Sequence, residues 1–370
     1  MKRFIALTAS ILLMASTVTF AAEEPQISGY LDIYYIITDE TNDPAAGSTD
    51  EHPTEKKFLA DAEVDFRGKI SDKVTAILDL DIDIAVNGGT NANNAFGGDS
   101  DSARAEQLAF ISNNLPVTII GGLFNNPIGW EAEDSPDMHT FSHGQIYNIL
   151  DGQTITDGNN IVGAALQKTF GPATITLAYL DELRLASNES SLAGILNLNI
   201  VKGVDLEVGY VTAADQADSG FKNVSGALEN SGVNAGTVYL GAEAVLDVNL
   251  TITAVPNLLV GIEYLKGDEV IDASYGVTAS YSILDNLSVA ARYDNVSYAD
   301  LNLVGGGTTA GLFELDDTSS TTVAVTYGLD ESLDVILEYR NTDDPDNVAG
   351  LTGIADGDGV QTTLEFIAKF

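Results

Sequence analysis

Four side chains between positions 137 and 143 are of the types that cleave esters and amides in hydrolases. Asp137, His139, Ser142 and His143 would supply an acid, two bases and a hydroxyl nucleophile. Catalytic triads are built from groups that meet in space, however, and closeness in sequence does not indicate one. The sequence also lacks the strained G-x-S-x-G turn that presents a nucleophilic serine. We therefore predict no catalytic residues and no enzyme activity.

Two acidic clusters carry the hard oxygen ligands that Ca²⁺ prefers. They are DSDS at 99–102 and DDPDN at 343–347, and neither keeps the ligand spacing of a dedicated calcium loop. Solvated loop tips are the favoured interpretation, and Ca²⁺ binding is the alternative. The glycine-rich stretches at 87–98 and 304–311 lack the lysine and the helix of a phosphate-binding loop. We predict no metal site and no cofactor.

The most regular placement of charge lies on two segments that flank a turn at 71–73. Read with a period of two, each segment has one apolar face, and this alternation predicts a β-hairpin. The opposite face carries six acids and two bases: Asp61, Glu63, Asp65, Arg67, Lys69, Asp79, Asp81 and Asp83. If the apolar face meets lipid, the charged face must line an aqueous lumen. Rings of carboxylates attract cations, so we predict a cation-preferring pore with these eight residues in its wall.

The N-terminus and the net charge narrow the classes of protein. Lys2 and Arg3, the apolar run at 4–14 and the small residues up to Ala21 have the order of a secretory signal, which we predict at 1–21. With 55 acids against 16 bases, the net charge of −39 argues against nucleic acid as a partner. An exported chain with no cysteine is not a disulfide scaffold.

Strand-like alternation recurs along the chain, as at 240–254 and 273–283. After the signal, no stretch reaches the roughly 18 apolar residues of a helical span, whereas about 9–11 residues suffice for a tilted strand. The connections alternate in length. Short turns are predicted at 71–73, 113–116, 170–172, 201–203, 256–257, 284–286 and 328–332. Generally longer loops are predicted at 38–57, 87–103, 125–159, 181–189, 213–235, 267–271, 295–318 and 341–358.

This asymmetry is typical of outer-membrane barrels, because their periplasmic turns are short and their outer loops are long. We predict an all-β fold in which residues 22–370 form a single transmembrane antiparallel up-and-down β-barrel of about 16 strands, within a range of 14–18. A soluble periplasmic all-β protein is the alternative fold. The predicted location is the outer membrane of a Gram-negative bacterium, in contact with lipid and lipopolysaccharide.

Aromatic residues support the barrel at two places. Five strands that leave short turns carry a tyrosine on the apolar face, which predicts an interfacial girdle of Tyr179, Tyr210, Tyr264, Tyr293 and Tyr339. The segment VQTTLEFIAKF at 360–370 alternates and ends on Phe370, with Phe366 on the same face. It is similar to the C-terminal signature of outer-membrane barrels. We interpret these two phenylalanines as a signal for the barrel assembly machinery.

The segments GGLFNNPIGWE at 121–131 and DSPDMHTFSHGQIYNIL at 134–150 carry a specific pattern of glycine, proline and acid. This region resembles the OmpL-like family of Gram-negative outer-membrane β-barrel porins through Gly122, Asn126, Pro127, Gly129, Glu131, Pro136 and Ser142. The match covers some 30 residues and is diffuse elsewhere. The resemblance implies an outer-membrane channel, without catalytic residues. It also implies a homotrimer, since general porins are often trimers.

The long connection at 125–159 has the character of a loop that folds into a lumen. It holds the single tryptophan and two of the three histidines, and we predict a constriction formed by Trp130, Glu131, Asp137, His139 and His143. An ordinary extracellular loop is the alternative. The predicted function is passive diffusion of small hydrophilic solutes, with a preference for cations. A ligand-specific uptake barrel, for example for a metal chelate, and a non-conducting structural or adhesive barrel remain alternatives.

The loop pattern predicts which sites face the outside of the cell. An epitope inserted at Asn91, Asp218 or Asn347 is expected to bind antibody on intact cells, because these sites lie in long polar loops. An epitope at Asp285, in a short turn, is the control and should stay inaccessible. Labelling at Asp285 with none at Asn91 would contradict the orientation.

Overall fold

The computed structural model describes residues 25–40, 54–84, 103–153, 159–181, 190–212, 244–268, 271–298, 301–304, 310–313, 317–343 and 359–370. The predicted signal at 1–21, the DSDS cluster and the epitope sites Asn91, Asp218 and Asn347 lie outside these ranges. They stay predictions.

The described chain is dominated by antiparallel strands. In chain order they are β1 (Gln26–Glu40), β2 (Thr54–Ser71), β3 (Val74–Ile84), β4 (Ala103–Ser112), β5 (Thr118–Asn125), β6 (Asn160–Phe170), β7 (Ala173–Leu180), β8 (Ser191–Val201), β9 (Val204–Val211), β10 (Val245–Ile252), β11 (Leu258–Gly267), β12 (Ile271–Leu284), β13 (Leu287–Tyr298), β14 (Leu301–Val304), β15 (Ala310–Phe313), β16 (Thr318–Gly328), β17 (Leu333–Asp343) and β18 (Gly359–Lys369). A 3₁₀ turn (Ser135–Asp137) and a helix, α1 (Gln145–Gln153), lie between β5 and β6.

Sixteen of these strands close into one barrel, and β14 and β15 form a separate two-stranded sheet. Within the barrel each strand pairs with its neighbours in sequence, and β1 pairs with both β2 and β18. Closure satisfies the backbone of every barrel strand without leaving an edge in lipid. The predicted all-β barrel of about 16 strands is confirmed.

Alternation along the strands separates an apolar outer face from a polar inner face. On β13, Tyr293 is 42% exposed, whereas its neighbours Arg292 and Asp294 are 3% and 2% exposed. On β17, Leu337 is exposed while Glu338 is buried. Such a surface suits a lipid environment, since charges are kept inside. All five tyrosines of the predicted girdle are exposed: Tyr179, Tyr210, Tyr264, Tyr293 and Tyr339.

Turns and strand ends follow the sequence pattern, with local differences. The strand expected at 240–254 is described from position 244, and there it runs over Val245–Ile252. Strand β13 runs to Tyr298, four residues into the predicted loop at 295–318. The physical reason is that Val296 and Tyr298 are buried and join the apolar cluster beneath α1, so the strand continues as far as that packing. Among the described residues, no helix is both long and apolar enough to cross a bilayer.

The seam of the barrel lies between β1 and β18. The backbone N–H of Phe370 donates to the carbonyl of Gly29 at 3.0 Å, and the N–H of Gly29 donates back at 3.2 Å. The Phe370 ring lies over Gly29 and is 66% exposed. Phe366 pairs with Ile33 of β1 and is also exposed on the outer face. Both phenylalanines therefore add apolar surface at the seam that completes the barrel.

Replacing Phe370 with Asp is expected to impair closure, because it places a charge on the lipid face beside the last pair of seam hydrogen bonds. The measurement is heat-modifiable migration of membrane-extracted protein, which should fall several-fold. Phe370→Tyr is the control and should assemble normally. Wild-type amounts of inserted barrel from Phe370→Asp would contradict the role of this residue.

Candidate functional site

The residues between β5 and β6 run across the inside of the barrel. We call 126–153 the inner segment. It contacts strands β1, β10, β11, β13 and β17, and it meets them on the face opposite the exposed apolar residues. A single segment can reach strands so far apart around a closed barrel only from within. The inner segment is therefore positioned by many strands at once.

Apolar contacts hold its two ends against the wall. Ile128 near the start and Ile146 and Leu150 of α1 are nearly fully buried. They belong to one cluster with inward side chains of β6 to β13, among them Ile161, Leu180, Ile195, Val211, Val245, Leu265 and Ile271. Gly129 has φ of 109°, and a Cβ there would lie 2.9 Å from a methyl carbon of Leu150. The glycine lets the chain turn tightly beside the helix.

Trp130 docks on the opposite strands through three contacts. Its indole N–H donates to Thr251 Oγ1 at 2.9 Å, and its backbone N–H donates to Glu263 Oε1 at 2.9 Å. Its ring lies so close to Gly261 that a Cβ at that position would approach within 2.1 Å of the ring. Any larger residue at position 261 would displace the indole. His139 lies next to this ring, with centroids 6.2 Å apart.

Arg292 of β13 is the main polar anchor of the inner segment. Its guanidinium donates to Thr140 Oγ1 at 2.7 Å, to the Ser142 carbonyl at 2.6 Å and to the His143 carbonyl at 2.7 Å. It also pairs with Glu131 Oε1 at 2.9 Å. These bonds use the planar donor fork of arginine, which lysine cannot reproduce. One buried side chain thus joins both halves of the inner segment to the wall.

Glu131 completes this anchor from the other side. Its second carboxylate oxygen accepts the backbone N–H of Gly144 at 2.5 Å and lies 3.8 Å from His143 Nδ1. Burial alone would raise the pKa of Glu131, but Arg292 and His143 outweigh it and lower the pKa to about 2. The carboxylate is therefore ionised throughout the neutral range, as its pairing with Arg292 requires.

The pKa values of other titratable groups in the inner segment are also shifted. Burial and the nearby Glu106 raise the pKa of Glu133 well above its ordinary value. Burial also raises the pKa of Asp134, with Asp65 adding to the effect. Burial lowers the pKa of His139. The side-chain amide of Asn160 donates to Glu106 Oε1 at 3.2 Å and to Glu133 Oε2 at 3.3 Å.

Further hydrogen bonds attach the inner segment to β1 and β17. Ser135 Oγ donates to Asp32 Oδ2 at 3.2 Å, and the Ser142 backbone N–H donates to Glu338 at 3.1 Å. Ser142 Oγ accepts from Arg292 at 3.0 Å, and His143 stacks on Tyr147 with centroids 3.7 Å apart. Ser142 and His143, two of the four residues of hydrolase type, are thus engaged in anchoring contacts.

The five predicted constriction residues all lie in the inner segment. Trp130, Glu131 and His143 make the anchoring contacts described above. Asp137 is exposed, and it lines a cleft together with Trp130, Glu131 and His139 and with Leu259 and Thr278 of the wall. The structure therefore brings the five together, and four of them line this cleft.

The predicted pore-wall residues share one face of the β2–β3 hairpin. Directly opposed pairs are Asp61 with Asp83, Glu63 with Asp81, and Asp65 with Asp79. Glu63, Asp79 and Asp81 are buried, and Arg67 and Lys69 are exposed nearer the turn. The Asp83 side chain lies outside the described part of the chain. Asp81 forms a salt bridge with Arg104 of β4.

Several inner charged residues were not predicted from the sequence. They are Asp32, Glu106, Asp247, Glu263, Arg292, Asp294, Glu338, Arg340 and Glu365, all buried. Glu106 lies at a register shift of β4, and each of the others interrupts a strand whose alternate positions are apolar, as Arg292 and Asp294 do in VAARYDNV. That interruption is a signal of inward position. It does not reveal which loop the charge will meet.

A family model described as a Gram-negative porin matches residues 6–363. The chain belongs to this family. The match spans nearly the whole sequence, so it agrees with the predicted porin family at the level of Gram-negative porins, and the finer OmpL-like assignment stays a prediction. No match is found among proteins with curated descriptions.

Solved porins share the fold of this porin at low sequence identity. The structure of Salmonella typhi OmpF in complex with daunomycin aligns with a TM-score of 0.63 and 13% identity, covering 94% of this chain and 97% of that one. Pseudomonas putida OprB aligns with a TM-score of 0.64 and 12% identity, covering 94% of each chain. Vibrio cholerae OmpT aligns with a TM-score of 0.57 and 12% identity, covering 95% and 100%.

Family membership establishes the general function and the location. The chain is an outer-membrane porin, a β-barrel channel protein of a Gram-negative bacterium. Members of this family are known as channels rather than enzymes, and they often form trimers.

Trp130 gives a spectroscopic test of the anchor, because it is the single tryptophan of the chain. The pKa of Glu131 is lowered on folding to about 2. The ionised carboxylate therefore stabilises the folded protein fully above the ordinary pKa of glutamate, and this stabilisation is lost as pH falls towards 2. A depression of this size corresponds to about 3 kcal/mol. We expect Trp130 emission to be constant from pH 7 to about 5 and to shift to the red between about 4.5 and 2.

The variant Glu131→Gln should remove this acid transition and show red-shifted emission already at pH 7. Asp137→Asn, which changes an exposed acid of the same segment, is the control and should behave as wild type. An unchanged acid transition in Glu131→Gln would show that Glu131 does not hold the inner segment.

Proposed function

We propose that this porin passes small hydrophilic solutes by passive diffusion, with a preference for cations, and that the inner segment forms its constriction. The observation that carries the proposal is the excess of carboxylates on the inner face beside a segment held across the interior. Sieving by width and charge then accounts for selectivity without any turnover of solute.

The distribution of charge on the β2–β3 hairpin supports the cation preference. Acids oppose acids across the two strands at three successive inward positions. The basic residues of the same face, Arg67 and Lys69, lie towards the turn, so the middle of the hairpin is acidic. In a narrow, low-dielectric lumen these carboxylates raise the local concentration of cations.

Arg292, on another part of the inner wall, does not offset this excess. Arg292 is bound to Glu131 at 2.9 Å and to Asp294 at 3.0 Å. Its positive charge is therefore matched by two carboxylates at hydrogen-bond distance. The net field on a passing ion is set by the acids that have no such guanidinium against them.

The remaining parts of the proposal concern partners. We propose a homotrimer in the outer membrane, embedded in lipid and lipopolysaccharide and inserted by the barrel assembly machinery through the seam residues Phe366 and Phe370. We also propose that Asp137, His139, Ser142 and His143 carry no catalysis, since Ser142 Oγ is held by Arg292.

The reversal potential across a KCl gradient tests the cation preference. We expect a cation-selective potential for the wild type in planar bilayers, and a reduction by roughly half in Asp79→Asn/Asp81→Asn, because one change removes an inward acid and the other leaves the Arg104 guanidinium without its carboxylate. The preference should also weaken at 1 M salt, where the Debye length is about 3 Å. Asp330→Asn, in the exposed β16–β17 turn, is the control and should keep the wild-type potential.

An anion-selective wild type, or a double variant with an unchanged potential, would contradict this assignment. A current that one solute blocks at saturation would indicate a ligand-specific channel. The absence of current from a correctly folded barrel would indicate a structural role.

A further inference from the structure

The inner wall at β2, β3 and β4 holds more carboxylates at close range than its basic residues account for. Glu63, Asp65 and Asp79 each offer an oxygen, and these oxygens all lie within 4.8 Å of one another. Glu63 is shared with a second group, formed with Glu106 and Asp134, whose oxygens also lie within 4.8 Å of one another. The two groups link three strands to the inner segment.

Acids at such short range need a compensating charge or proton. Asp65 and Asp79 are directly opposed in the β2–β3 ladder, and like charges in that position destabilise a sheet. Asp65 accepts a hydrogen bond from Ser28 at 2.9 Å, and this bond adds no positive charge. The base of β4, Arg104, is already bound to Asp81, and Arg67 of β2, which faces the same group, is exposed and lies nearer the turn.

One atom points specifically to a missing ligand. Asp79 is 2% exposed, and within the described part of the chain its buried Oδ1 has no hydrogen-bond partner. A buried carboxylate oxygen without a partner is costly, because the group has lost its water and gained nothing in return. A bound cation would satisfy this atom together with the neighbouring oxygens.

We propose that Glu63, Asp65 and Asp79 bind a divalent cation of the size of Ca²⁺ on the inner wall, with Glu106 and Asp134 forming the adjoining half of the site through Glu63. Carboxylate oxygens are the ligands of hard cations. Ca²⁺ accepts the irregular geometry that carboxylates from separate strands provide, whereas Mg²⁺ demands a near-ideal octahedron.

The site has a mechanical consequence as well as an electrostatic one. Because Asp134 belongs to the inner segment, the ion would tie that segment to β2 and β4 through Glu63. It would also neutralise part of the acidic wall. The site was not expected from the sequence, where only the loop clusters at 99–102 and 343–347 had been considered for Ca²⁺.

The test is isothermal titration of CaCl₂ into the full-length refolded barrel, freed of metal with a chelator and held at constant ionic strength with choline chloride. We expect saturable binding to the wild type and at least about tenfold weaker binding to Asp79→Asn and Glu63→Gln, since each removes a ligand charge. Competition with MgCl₂ should require roughly tenfold more of that ion. Asp205→Asn, an exposed acid of β9, is the control and should bind as wild type.

Heat-modifiable migration identifies folded protein before each titration. If Asp79→Asn and Glu63→Gln fail to fold, Asp65→Asn, at a half-buried position, replaces them in the titration. Heat without saturation in the wild type, equal affinity for Mg²⁺, or wild-type affinity in the folded variants would overturn the proposal. Because the readout is binding, a failure here is distinct from a failure of the cation-selective channel.

Discussion

The requirement that every backbone N–H and C=O be paired in lipid governs this molecule. A sheet satisfies it only by closing on itself, and here β1 pairs with β18 through a continuous ladder that ends at the Gly29–Phe370 pair. Closure divides all side chains between two environments. Tyr293 and Leu337 are turned outward, so their sequence neighbours Arg292 and Glu338 must be turned inward.

The polar side chains that line the interior need hydrogen-bond partners and opposite charges. The inner segment supplies many of these partners. Without the carbonyls of Ser142 and His143 and the carboxylate of Glu131, the buried guanidinium of Arg292 would lose most of its hydrogen-bond acceptors and keep Asp294. The inner segment in turn needs these partners for its own polar backbone. Removing one partner of such a buried ion pair leaves the other charge uncompensated, which typically costs about 3–5 kcal/mol. The geometry of the interior is therefore coupled to the chemistry of a few wall residues.

The sequence predicted the parts of this architecture that depend on local pattern. Alternation at Asp61 to Lys69 and at Asp79 to Asp83 identified one face of a hairpin, and the counted connections predicted 16 strands, because both signals are read from near neighbours. Arg292 could be recognised as inward, but its partners are some 150 positions away, and no local pattern pairs them. The shared role of Glu63, which joins Asp79 to Asp134, depends on barrel register and on the path of the inner segment. For the same reason the end of β13 was misplaced, since Tyr298 is held by packing under α1.

The central claim is that anchoring by Arg292 keeps the inner segment across the interior and so narrows the pore. Single-channel conductance of Arg292→Met, compared with wild type in the same salt, tests it most directly. Methionine keeps much of the side-chain volume and removes all of the donors, so the inner segment should be released from β13. The account predicts a larger and noisier unit conductance from a barrel that still migrates as folded protein. A folded Arg292→Met barrel with the wild-type conductance and wild-type noise would contradict it.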